Sequence, residues 1–161
     1  MLVCERRLRA ARSVALIAAL MLVPLALGAC GGGGKQSPSA AYAKRLSSSC
    51  TSMRKRIEAL GKPSDTPIAK VYPGTVKIGR AFLREVAKLD PPAGSKARVK
   101  AMAREYGYYF DGLGLAYALL TKRKSEQGFI QTAHAAVANL NLAIGYASKL
   151  GATACARQPF D

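Results

Sequence analysis

Residues 37–61, SPSAAYAKRLSSSCTSMRKRIEALG, place apolar side chains at Tyr42, Leu46, Cys50, Met53, Ile57 and Leu60, in steps of 4, 4, 3, 4 and 3. That spacing lines all six along one face of an α-helix. Ser37 stands at the N-cap position, and Pro38 suits the first helical position, where a missing N–H costs no hydrogen bond. Gly61, followed by Pro63, ends the segment.

The same period recurs downstream. After a loop from Lys62 to Pro73, a second helix runs to about Leu89 with Ile78, Phe82, Val86 and Leu89 as its apolar stripe. Asp90-Pro91-Pro92 stops it, because a residue before proline is driven out of the α region. A third helix, capped by Ser95, carries Val99, Met102, Tyr106, Tyr109, Leu113, Ala116 and Leu120 and reaches the cluster Lys122-Arg123-Lys124. Positive charge there suits a helix C-terminus. Ser125 caps a fourth helix with Ile130, Ala133, Val137, Leu140, Ile144 and Ala147 inward and Gly151 as terminator. No strand-like alternation of useful length appears. The expected fold is all-α, an antiparallel up-down-up-down four-helix bundle over residues 42–161.

The chain ahead of the bundle reads as an address. Residues 1–29 hold a basic stretch (Arg6, Arg7, Arg9, Arg12), an apolar core from Val14 to Leu27 interrupted by Pro24, and small residues at the end. This is the layout of a secretory signal, too short to span a bilayer. The run Leu27-Gly28-Ala29-Cys30 resembles the lipobox of bacterial lipoproteins. That resemblance implies cleavage before Cys30, a diacylglyceryl group on its thiol, and a mature protein held at the extracytoplasmic face of the cell membrane. Two acyl chains give the stable attachment that one does not. Residues 30–41 then form the lipidated cysteine and a Gly/Ser-rich tether. Signal, lipobox, tether and short bundle together resemble small helical lipoproteins of actinobacterial envelopes, a likeness that implies location and no activity. Gly31 rather than Asp after the cysteine would direct a Gram-negative protein to the outer membrane.

With Cys4 lost in the signal and Cys30 lipidated, Cys50 and Cys155 are left to pair in an oxidising compartment. The expected topology independently brings the end of helix four beside the start of helix one, and so Cys155 toward Cys50. Two cysteines and the single His134 cannot complete a four-ligand zinc site. No metal and no cofactor are expected.

The full chain carries a net charge of +16, and the 132 residues after the signal keep 21 basic against 8 acidic side chains. Lys77, Arg80, Arg84 and Lys88 recur at helical spacing on the polar side of helix two. They form either a solvated face or a patch for anionic partners such as lipid headgroups, envelope polymers or an acidic protein. Nucleic acid ranks last, because no recognition motif accompanies the charge. In the third helix, Gly107, Gly112 and Gly114 each cost about 1 kcal/mol relative to alanine. They serve either close packing or a bend opening a pocket walled by Tyr106, Tyr109 and Phe110. The alanine-rich fourth helix is either buried or turned toward a partner.

Catalysis finds little material. There is no serine or cysteine nucleophile beside a base and no paired carboxylates, and Glu105 or Asp111 would have to meet His134 for acid–base chemistry. The expectation is a non-enzymatic, membrane-anchored domain that binds anionic envelope polymers or an envelope protein, with an accessory subunit of an envelope complex as the alternative and an envelope hydrolase ranked below both.

Overall fold

The computed structural model describes residues 37–61, 64 and 66–158, all within one unit spanning Lys35–Asp161. The signal segment, Cys30, the tether as far as Gln36, and Lys62 and Pro63 lie outside the described residues. The described chain is all-α, with no strand among its residues.

Helix α1 spans Pro38–Glu58. Ser37 caps it as expected, its hydroxyl accepting a hydrogen bond from the Ala40 N–H at 3.2 Å. Tyr42, Leu46, Cys50, Met53 and Ile57 are buried on one face. Beyond the C-cap Ala59, Gly61 adopts φ 98°, a left-handed conformation that favours glycine at a helix exit.

Helix α2 spans Ile68–Ala87, so it begins before Pro73 rather than after it. Pro73 sits inside the helix and forfeits the hydrogen bond its N–H would have made to the Ala69 carbonyl. The added turn compensates by apolar burial. Val71 is 1% exposed, and the Tyr72 ring lies 5.7 Å from that of Phe129 on the fourth helix. Asp90-Pro91-Pro92 ends the element as expected.

Ser95 does not act as the expected cap. It is the last residue of a 3-10 turn, Ala93–Ser95, has αR geometry and makes no side-chain capping bond; helix α3 follows directly as Lys96–Thr121. Its buried face holds Val99, Met102, Tyr106, Tyr109, Leu113 and Ala116 of the expected stripe, together with Glu105 and Phe110. Leu120 is only half-buried.

Helix α4, Glu126–Lys149, is capped by Ser125, whose Oγ accepts from the Gly128 N–H at 3.2 Å. Its inward face differs from the expected one. Ala136, Leu140, Ala143 and Ala147 are buried, whereas Ile130 is 46% and Val137 43% exposed, and Ala133 and Ile144 are half-buried. Small side chains win the interior because they let α4 approach α3 closely. A Cβ added at Gly112 would stand 2.8 Å from that of Ala136, so this crossing has no room for a larger residue.

Helix α3 packs against α4 and α2, and α1 packs against α2. At one end of the molecule Gly151 meets Ala43 and Arg98 donates to the Lys149 carbonyl, joining the start of α1, the start of α3 and the end of α4. At the other, Leu60 covers Gly74 and Tyr72 meets Phe129. The C-terminal segment after Gly151 (φ 72°) folds back over α1 and α3. Cys155 bonds Cys50 with a Cα–Cα distance of 5.2 Å, and its carbonyl accepts from the Tyr106 hydroxyl at 2.8 Å. Closing a loop of 105 residues stabilises by about 4–5 kcal/mol in the chain-entropy model.

Gly79 has no space for a side chain, since an added Cβ would overlap the Phe110 ring, while Gly145 on α4 faces open space. Gly79→Ala is expected to lower stability by about 1–3 kcal/mol through overpacking, despite alanine's better helix propensity. Gly145→Ala is expected to raise it by about 0.5–1 kcal/mol. Chemical denaturation of the two variants measures both signs.

Candidate functional site

Three of the four cations singled out on α2 line one groove. Lys77, Arg80 and Arg84 form its α2 wall, and Asp111, Leu115 and Tyr117 its α3 wall, around an open space of about 710 Å³. The floor is shallow in side chains because Gly114 contributes none, leaving the Val76 methyl 3.7 Å from where a Cβ would be. Helical spacing explains the α2 wall: steps of three and four residues return to the same face, with a rise of about 1.5 Å per residue. Asp111 accepts from Arg80 Nη2 at 3.0 Å across the groove. Both side chains are largely exposed (61% and 65%), so the pair contributes under about 1 kcal/mol to stability. Its effect is positional, holding a planar guanidinium with five N–H donors over the groove.

Lys88, the fourth cation, lies elsewhere. It lines a second recess of about 610 Å³ with Lys96 and Lys100 of α3 and the Asp90-Pro91 turn. The sequence reading missed Lys96 and Lys100, although their i, i+4 spacing and proximity to Lys88 through the short Pro-rich turn were available signals. It also missed Leu115 and Tyr117, whose place opposite the α2 cations depends on the α2–α3 packing.

The aromatic residues proposed as pocket walls are core residues. Tyr106, Tyr109 and Phe110 are 1%, 3% and 0% exposed, and none lines either groove. Phe82 meets Tyr106 edge-on at 5.4 Å, Tyr106 stacks with Phe110 at 6.1 Å, and Tyr109 tilts against Phe110 at 5.0 Å. Of the three glycines, Gly112 serves the close α3–α4 approach.

The groups needed for acid–base chemistry are engaged separately. Buried Glu105 accepts from Arg104 Nη2 at 2.6 Å and Nε at 2.9 Å, Asp111 pairs with Arg80, and His134 is exposed on α4. Among the described residues no group of three or more His, Cys, Asp and Glu side chains is placed to hold a metal ion. No described helix is long and apolar enough to cross a membrane. No family model, curated protein or solved structure matches this chain.

Burial pushes the Tyr106 and Tyr109 phenols well above their ordinary value of 10.0; Arg54 opposes the shift at Tyr106, and Tyr72 and Tyr106 add to it at Tyr109. A folded-state pKa above the unfolded one contributes stability that is complete below pH 10 and lost as pH rises toward the folded value. Tyrosinate absorbance is therefore expected to grow in two phases on alkaline titration, the later one coinciding with loss of helical circular dichroism. A single phase completed while the helices persist would contradict the burial of these phenols.

Proposed function

We propose that this chain is a lipid-anchored, extracytoplasmic, non-enzymatic binding domain that captures anionic envelope polymers in the groove between α2 and α3. In this reading residues 1–29 are removed, Cys30 carries diacylglycerol, and the four helices alternate up-down-up-down. The pairing of helix ends at Gly151–Ala43 and Leu60–Gly74 supports that alternation. The observation that carries the function is the convergence of Lys77, Arg80 and Arg84 with Leu115 and Tyr117 in one open groove. Cations attract phosphate or carboxylate groups, a guanidinium offers paired donors to them, and the flanking phenol and aliphatic side chain suit the carbon skeleton between charges. A concave groove fits a chain better than it fits a flat surface.

A second reading, as an accessory subunit of an envelope complex, is favoured by the exposed apolar side chains of α3 and α4: Tyr108, Leu115, Ile130, Val137 and Leu142 are 43–56% exposed. Scattered exposed apolar residues are ordinary, and only a contiguous patch marks an interface.

Two measurements test the proposal. The intact mass of protein purified from its native membrane should lack residues 1–29, include a diacylglyceryl group, and rise by two hydrogens on reduction. Binding to poly(glycerol phosphate), with a neutral glucan of matched length as control, should weaken at least about tenfold, or 1.4 kcal/mol, in the triple variant Lys77→Glu, Arg80→Glu, Arg84→Glu. Reversing Lys122, Arg123 and Lys124 at the far end of α3 should change it less than about threefold. Equal losses in the two variants would reduce the groove to part of a diffuse positive field.

A further inference from the structure

We infer that the end of the domain bearing the start of α1 is an electrostatic foot that docks end-on against an anionic bilayer surface. The inference rests on the lipid anchor proposed above and assigns a second role to cations outside the groove.

Lys44 on α1, Lys88 beyond α2, Lys96, Arg98 and Lys100 on α3 and Lys149 on α4 are all exposed. The structure gathers them at one end. Lys88, Lys96 and Lys100 share one recess with Asp90, and Lys44 and Lys149 share another; Arg98 is fastened to the Lys149 carbonyl. Five positive charges thus meet one carboxylate, Asp90, among the residues lining these two recesses, and Arg98 adds a sixth beside Lys149. The first residue of the described chain, Ser37, belongs to the same end, because it caps α1.

The covalent distance from Cys30 to Ser37 sets the reach. Whatever path residues 31–36 take, seven residue steps span at most about 25 Å. The opposite end is also basic, with Lys70, Lys122, Arg123 and Lys124, so charge alone does not choose between the two. The anchor does. Helix α3 has 26 residues and a length of about 39 Å, roughly four Debye lengths at moderate salt. Cations at the far end lie beyond the surface potential of the leaflet when the near end touches it. End-on docking also raises the groove, since Arg84 and Lys77 lie about 6 and 16 Å along the helix from Lys88.

Gly94 provides the test position, because nothing lies within 4 Å of an added Cβ. In the mature lipidated chain Cys30 is blocked and Cys50 is bonded to Cys155, so Gly94→Cys supplies a single free thiol for a fluorophore, and Arg123→Cys a control at the far end. Each protein is reconstituted into vesicles carrying a headgroup acceptor, either pure phosphatidylcholine or phosphatidylcholine with one-third phosphatidylglycerol, and its intact mass is checked for diacylglycerol. The expected result is energy transfer from Gly94 that rises about twofold with phosphatidylglycerol and returns to the neutral-vesicle value in 1 M salt or in the triple variant Lys88→Glu, Lys96→Glu, Lys100→Glu. Transfer from Arg123 should stay unchanged. A lipidated chain whose Gly94 signal ignores lipid charge overturns the docking alone. A rise at Arg123 equal to that at Gly94 overturns it in favour of a domain lying flat. A mass without diacylglycerol overturns the anchor and the docking together.

Discussion

Helix α3 is held between two contacts that admit no larger side chains, Phe110 seated on Gly79 of α2 and Gly112 against Ala136 of α4. These close approaches fix the separation of α3 from both neighbours. The groove wall of Leu115 and Tyr117 belongs to the same helix that carries Phe110, so the core contact also sets the distance between the cations of α2 and the side chains facing them. A fully buried aromatic contributes several kilocalories per mole when truncation is the comparison, which gives the spacing an energetic anchor.

The cation-bearing surface is stabilised differently from the core. Its Arg80–Asp111 pair is exposed and weak, and its one lysine, Lys77, adds charge rather than shape. Shape comes from beneath, through Gly114 and Val76, while charge stands at the rim. This division lets a site accept ligands that share charge but differ in detail. Shape complementarity belongs to interfaces that discriminate more sharply.

Legibility in the sequence followed the range of the interactions involved. The α1 stripe, the Ser37 and Ser125 caps, the stop at Asp90-Pro91-Pro92 and the Cys50–Cys155 bond were readable because each depends on local spacing, on punctuation or on elimination among few cysteines. Pro73 misled because local chemistry argues against helix there, whereas burial of Val71 and the Tyr72–Phe129 contact overrides it. The α4 stripe misled for a related reason. Period alone gives Ile130 and Val137 the same phase as a core face, and only the tight crossing at Gly112 shows that alanines occupy the interior. Of the site, the α2 cations were visible as a ladder; the separation of Lys88 from the other three, and the partners on α3, required the packing of two helices.

The bond between Cys50 and Cys155 makes most of the domain a covalent ring: α2, α3 and α4 lie within the loop it closes, and only the first part of α1 and a few terminal residues lie outside. A single peptide bond cut anywhere inside that ring opens it without releasing a fragment. A protease that nicked the turn between α3 and α4 would leave both pieces joined through the sulfurs, and joined as well to whatever holds the N-terminal side of α1. Shedding any of it requires two backbone cuts in the ring, a cut ahead of Cys50, or one cut in the ring together with reduction of a bond whose half-cystines are 0% and 1% exposed.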